Sequence, residues 1–191
     1  LFQKLLCDRD LFFRMAKGLS LPEQMDEILS LAQQRITDPS PYLSYQDAMP
    51  LFSCMGKNII LMGSAGSGQH TKAANQIAVA GATAAYTEAL IYAEKTGLDP
   101  QKMLAAIGAG AAGSWQLANM APRALAGDFA PGFFVKHFIK DMKIVKEESQ
   151  KAGVELEMLN TVLSLYEKMA EHGLENEGTQ ALIRYYREEE K

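Results

Sequence analysis

Residues 69–95 contain no proline, and Gly81 is the only glycine among them. No other feature restricts the fold as strongly. Nine alanines lie between Ala73 and Ala93, and alanine is the best helix former because its side chain has no rotamer freedom to lose. The stretch reads as one long helix whose small side chains let neighbours approach on several sides. Thr96-Gly97 stops it. Asp99-Pro100 then supplies an N-cap and a proline in the first helical position, which predicts a helix over 101–107.

The rest of the pattern is also helical. Helices are expected over 44–56, ended by Gly56, and over 116–125, 138–153, 156–171 and 178–189. The first 40 residues read as two amphipathic helices. In the second, Leu21, Met25, Ile28, Leu29, Ala32 and Ile36 recur at helical steps behind a Ser20–Glu23 capping box. Asn58-Ile-Ile-Leu-Met62, between Gly56 and Gly63, reads as a strand. One strand cannot pair alone, so it belongs to the edge of a sheet supplied elsewhere, or part of the protein is missing.

Composition excludes some functions. Lys and Arg number 19 against 23 Asp and Glu, a net charge of −4, so the chain has no global basic field for nucleic acid. Cys7 and Cys54 form no disulfide framework, which suits a reducing cytoplasm. The longest weakly polar run, 77–93, carries Glu88 and is too short to span a membrane. His70, His137 and His172 are scattered without metal-ligand spacing.

Three segments carry candidate chemistry. Gly63-Ser-Ala-Gly-Ser-Gly68 precedes the long helix, whose first amides have no intrahelical partners and attract anionic groups; a flexible hinge is the alternative. It is not a P-loop, because Gln69-His70 stands where Lys-Ser/Thr is required. On the helix, Gln69, Lys72, Asn75, Gln76 and Val79 share one face, polar except for Val79. A lysine beside an amide can serve a hydroxyl substrate, the ammonium exchanging its proton where burial disfavours the charge. The same pattern also fits a solvated face. In the third segment, Phe133-Phe134-Val-Lys136-His-Phe-Ile-Lys140-Asp141-Met142, Lys140 and Asp141 are expected to open a helix. Lys140 could meet a phosphate or carboxamide, or be a surface charge. Gly108-Ala-Gly110-Ala-Ala-Gly113 matches G-x-G-x-x-G literally, but a capped helix precedes it where the dinucleotide fingerprint requires a strand, so it reads as a helix–helix turn.

These motifs, in order, resemble the 3-hydroxyisobutyrate dehydrogenase family and its β-hydroxyacid dehydrogenase, 6-phosphogluconate dehydrogenase-like relatives. The resemblance rests on Met55-Gly-Lys-Asn-Ile59, Gly63-Ser-Ala-Gly-Ser-Gly-Gln69, Lys72 and Asn75-Gln76. It continues through Gly97-Leu-Asp-Pro100, Ser114-Trp115, Pro122-Arg123, Gly127-Asp-Phe129, Pro131-Gly-Phe133 and Lys140-Asp141-Met142. It covers roughly the chain from Ser44 onward. It implies a mainly α fold: the family's helical C-terminal domain with one long interdomain helix, over 64–191, behind a short non-Rossmann segment and helix–strand remnant over 1–63.

The resemblance also implies oxidation of a 3-hydroxy acid to the semialdehyde with NAD or NADP, in a cytoplasmic homodimer or higher homo-oligomer that needs neither nucleic acid nor membrane. It makes Lys72 the general acid/base, and Asn75 and Gln76 substrate-binding residues, Asn75 as the orienting amide. Gly66 and Gly68 would lie in a loop near cofactor and substrate, and Lys140 with Phe134 near the nicotinamide. Before Ser44 no strand leads into a G-x-G-x-x-G loop. The expectation is therefore a chain lacking the dinucleotide-binding half, or else a non-enzymatic helical association module derived from the family.

Overall fold

A computed structural model describes residues 45–188, apart from the side chains of Asp47, Leu51 and Met55. The two helices expected before residue 40 lie outside these residues. The chain divides into two compact units at Gln69/His70.

In the first unit, α1 spans Tyr45–Met55 with Pro50 inside it. Its end is closed by the Gly56 amide donating to the Phe52 carbonyl at 3.0 Å. The segment 58–62, expected as a strand, forms no ladder, and Ile60, Leu61 and Met62 are exposed at 65%, 61% and 50%. The correction has a simple cause: apolar residues favour a strand only where another strand takes their amides, and the described residues offer none. Gly63 and Gly66 have positive φ, 124° and 96°, and their turn leads into α2, Ser67–Lys95.

Helix α2 runs about 40 Å at 1.5 Å per residue. It ends as its sequence dictates. Gly97 takes φ +75°, and the Leu98 amide reaches back to the Ala93 carbonyl at 2.9 Å. Asp99 caps α3, Pro100–Gly108, by accepting from the amides of Gln101 and Lys102 at 2.9 and 3.2 Å. The Gly108–Gly113 segment is the helix–helix turn anticipated from its context. A Cβ on Gly113 would lie 2.7 Å from the Gly108 carbonyl oxygen, so glycine is required there. Ser114 caps α4, Trp115–Leu125.

Two long helices follow, α5 (Val135–Lys151) and α6 (Glu157–Glu171), then a 3-10 turn over Thr179–Ala181 and α7, Leu182–Glu188. Helix α5 starts three residues before its expected position, so Lys140 and Asp141 lie in its second turn, not at its opening. The cause is tertiary: the amides of Val135 and Lys136 donate to the carbonyls of Glu177 and Glu175 at 3.0 and 3.1 Å, which satisfies a helix start with no capping side chain.

The core of the second unit has two parts. Phe138, Met142 and Val145 of α5 pack on Leu159, Leu163, Tyr166 and Met169 of α6. Tyr86 and Leu90 of α2 pack with Leu117, Met120, Ala121 and Ala124 of α4. Phe138 meets Tyr166 edge-on at 5.0 Å. Tyr166 Oη donates to the Thr179 carbonyl at 2.7 Å, and burial pushes its phenol well above the ordinary 10, so it stays a neutral donor. Helix α7 is tied to α2 through Tyr186 Oη donating to Glu88 at 2.8 Å and the Arg187–Glu94 ion pair.

Phe138→Ala should destabilise the protein by about 3–5 kcal/mol in urea unfolding, and Tyr166→Phe by about 1 kcal/mol. A second prediction concerns acid. The Arg123 guanidinium, and after it the Ala130 amide, hold the Asp128 carboxyl below its ordinary 3.8. A carboxyl lowered on folding stabilises the protein above its unfolded pKa, and that gain is lost as pH falls through the folded value. Asp128→Asn should flatten the fall in stability below about pH 4, measured as urea midpoint against pH.

Candidate active site

The two core stripes bring polar residues together. On α2, Gln76, Ala80, Thr83, Thr87 and Leu90 are buried at three- and four-residue steps. Gln76, 3% exposed, is thus the first residue of the packed stripe rather than part of the open polar face. Lys72 and Asn75 lie beside that stripe and are exposed. On α5, Asp141 follows the buried Phe138 by three residues and precedes the buried Met142, so it sits at the edge of the stripe that packs the core.

A hydrogen-bonded chain results. Asn75 Nδ2 donates to Gln76 Oε1 at 3.0 Å. Gln76 Nε2 donates to Asp141 Oδ2 at 2.9 Å. Asp141 Oδ1 takes the Lys140 ammonium at 3.0 Å, with the Asp141 side chain only 18% exposed and that of Lys140 65%. A carboxylate this far removed from water needs partners, and it has one on each oxygen. Lys72 Nζ stands 5.7 Å from the centroid of the Phe133 ring, within cation–π range.

The sequence-derived candidates are therefore distributed unevenly. The structure links Asn75, Gln76 and Lys140 through Asp141. Phe134 does not share this cluster: its ring meets His137 at 5.3 Å and carries Lys136 Nζ at 5.1 Å, while the adjacent Phe133 underlies Lys72. Gly66 and Gly68 belong to the first unit. Gly66 needs its positive φ, and a Cβ on either would meet nothing within 4 Å. Sequence reasoning did not single out Phe133 or Asp141 as site residues. Asp141 had a signal, since its carboxylate follows Lys140 directly and lies one helical turn from Phe138. Phe133 had none to distinguish it from its neighbour.

In chemical terms, the candidates on this face include the exposed ammonium groups of Lys72 and Lys140 and one exposed amide, Asn75, held by the buried Gln76. That set fits a small carboxylate or hydroxyl compound and the polar end of a nicotinamide cofactor. Among the described residues, no strand-to-helix glycine turn exists to cradle a pyrophosphate.

Comparisons with known proteins give the family. The family described as "NAD-binding of NADP-dependent 3-hydroxyisobutyrate dehydrogenase" matches residues 66–186. The uncharacterized oxidoreductase YkwC of Bacillus subtilis is 52% identical over 143 residues, 75% of this chain and 50% of its own length. The probable 3-hydroxyisobutyrate dehydrogenase-like 1, mitochondrial, of Arabidopsis thaliana is 47% identical over 134 residues, 70% of this chain and 40% of its own. The 3-hydroxyisobutyrate dehydrogenase of Mycobacterium tuberculosis, solved with L-serine, superposes with a TM-score of 0.69 at 26% identity, over 78% of this chain and 53% of that one. The chain thus spans about half the length of the relatives it matches.

The comparisons define the class as relatives of proteins described as oxidoreductases and 3-hydroxyisobutyrate dehydrogenases. Within that class, the chain belongs to the 3-hydroxyisobutyrate dehydrogenase family.

Gln76→Leu should destabilise the protein by about 1–3 kcal/mol in urea unfolding, because the half-buried Asp141 carboxylate loses a donor. Gln76→Leu combined with Asp141→Leu should recover part of that loss, since both polar partners are then gone.

Proposed function

We propose that this chain supplies the proton-handling and substrate-orienting part of a 3-hydroxyacid dehydrogenase. The observation carrying the reading is Lys72 and Asn75, exposed and one turn apart, beside a buried amide and a half-buried carboxylate that ends on Lys140. A bound NAD or NADP would supply the hydride acceptor for the carbon bearing the hydroxyl. Lys72 takes the hydroxyl proton during oxidation and returns it during reduction. Asn75 orients the hydroxyl, and Lys140 holds the polar nicotinamide end.

Lys72 needs help for this role. Its side chain is exposed to water, and the Phe133 ring lies beneath its Nζ. A lysine that exchanges protons near neutral pH is one taken out of water. The complete site therefore requires a covering body, and a nucleotide-binding domain of the family's kind is the reading we adopt. The exposed Ala74, Ala78, Ala85 and Tyr92 of α2 support association with a second copy, a property that a non-enzymatic association module would share.

The test is NAD(P)-linked oxidation of 3-hydroxyisobutyrate. Lys72→Ala should lower kcat by about 10²–10⁴ with cofactor affinity unchanged. Undiminished turnover in that variant overturns the role of Lys72. A chain that dimerises yet has no measurable affinity for NAD(H) or NADP(H) favours the association module.

A further inference from the structure

We propose that Asp141 and Gln76 are positioning residues that fix the amide orientation of Asn75, and so make this face selective for a hydroxyl. The inference rests on the substrate reading above and gives a role of their own to the two residues behind its exposed groups. The argument is one of hydrogen-bond polarity. An ionised carboxylate only accepts. Asp141 Oδ1 accepts from the Lys140 ammonium at 3.0 Å. The Gln76 group 2.9 Å from Asp141 Oδ2 must then be the NH₂ end. Gln76 is 3% exposed, so water offers its amide no alternative partners. Its Oε1 therefore faces Asn75, and Oε1 only accepts. The Asn75 group 3.0 Å away must be Nδ2.

The consequence reaches the surface. Asn75 is exposed, and an exposed asparagine ordinarily turns its amide to suit whatever meets it. Here one Nδ2 hydrogen is committed to Gln76. The second Nδ2 hydrogen and Oδ1 face outward in a fixed order, one donor and one acceptor. A hydroxyl, which both gives and accepts, matches such a pair. A methylene matches neither group and leaves both unpaired on closure. The same carboxylate also anchors Lys140, so one half-buried charge sets two exposed groups.

The test uses two acids that differ by one hydroxyl, 3-hydroxypropionate and propionate. Each is titrated into the 191-residue chain, with binding read from NMR shifts of the Asn75 side-chain amide. The wild type should prefer the hydroxy acid by about 3- to 10-fold, one hydrogen bond's worth. In Asp141→Asn, which keeps the shape but allows Gln76 either polarity, and in Gln76→Met, the ratio of the two affinities should fall to about 1. A purely structural role would weaken both acids together and leave the ratio intact. An unchanged ratio in both variants overturns the relay and leaves the substrate reading standing. Failure of both acids to bind the wild type overturns the substrate reading, and the relay with it. Thermal unfolding of each variant identifies any that fails to fold. If Asp141→Asn is one of these, Gln76→Met decides the ratio alone.

Discussion

A carboxylate at the edge of a packed helix stripe constrains this structure most. Phe138 seats α5 against α6 by meeting Tyr166 edge-on at 5.0 Å, and helix periodicity then brings Asp141 to the margin of the same stripe. A charge there is costly unless both oxygens are engaged. Lys140 engages one and Gln76 the other. Because Gln76 lies on α2, satisfying the carboxylate joins two helices at a defined register. The polar face of α2 is thus placed by a core contact, and its site residues inherit the rigidity of the packing.

The second constraint is the way the chain closes on itself. The start of α5 lacks a capping side chain and takes its partners from the backbone at Glu175 and Glu177. That connection brings Phe134 beside Gly178, where a Cβ would collide with the Gln180 amide. Gln180 in turn donates from Nε2 to the carbonyls of Asp128 and Ala130 at 2.9 and 3.1 Å. The segment from Phe133 to Lys140, which carries the cofactor-side candidates, is therefore held by the far end of the chain. Shortening the chain before Glu175 would remove the backbone partners of the α5 start and release it.

This arrangement explains what the sequence made legible. Helix identity was readable because alanine content, Asp99-Pro100 and Gly97 act locally, and the structure ends and caps those helices with the same residues. The face carrying Lys72 and Asn75 was readable because three- and four-residue spacing is geometric. The true start of α5 was not, since its donors and acceptors are more than 35 residues apart. Neither was the place of Gln76. Glutamine on a polar face looks like a surface residue until the partner carboxylate is known, and Asp141 is 65 positions away. The apolar run 58–62 misled for the same reason in reverse: its pattern is local, but a strand exists only with a partner.

The two lysines divide the chemistry by how they are held. Lys140 is tethered to a carboxylate, which keeps its charge in place and suits it to hold a polar or anionic group. Lys72 has a ring beneath it rather than a counterion within the cluster, and a cation–π contact restrains an ammonium without neutralising it. The relay through Gln76 and Asn75 runs from the same carboxylate that Lys140 pairs with.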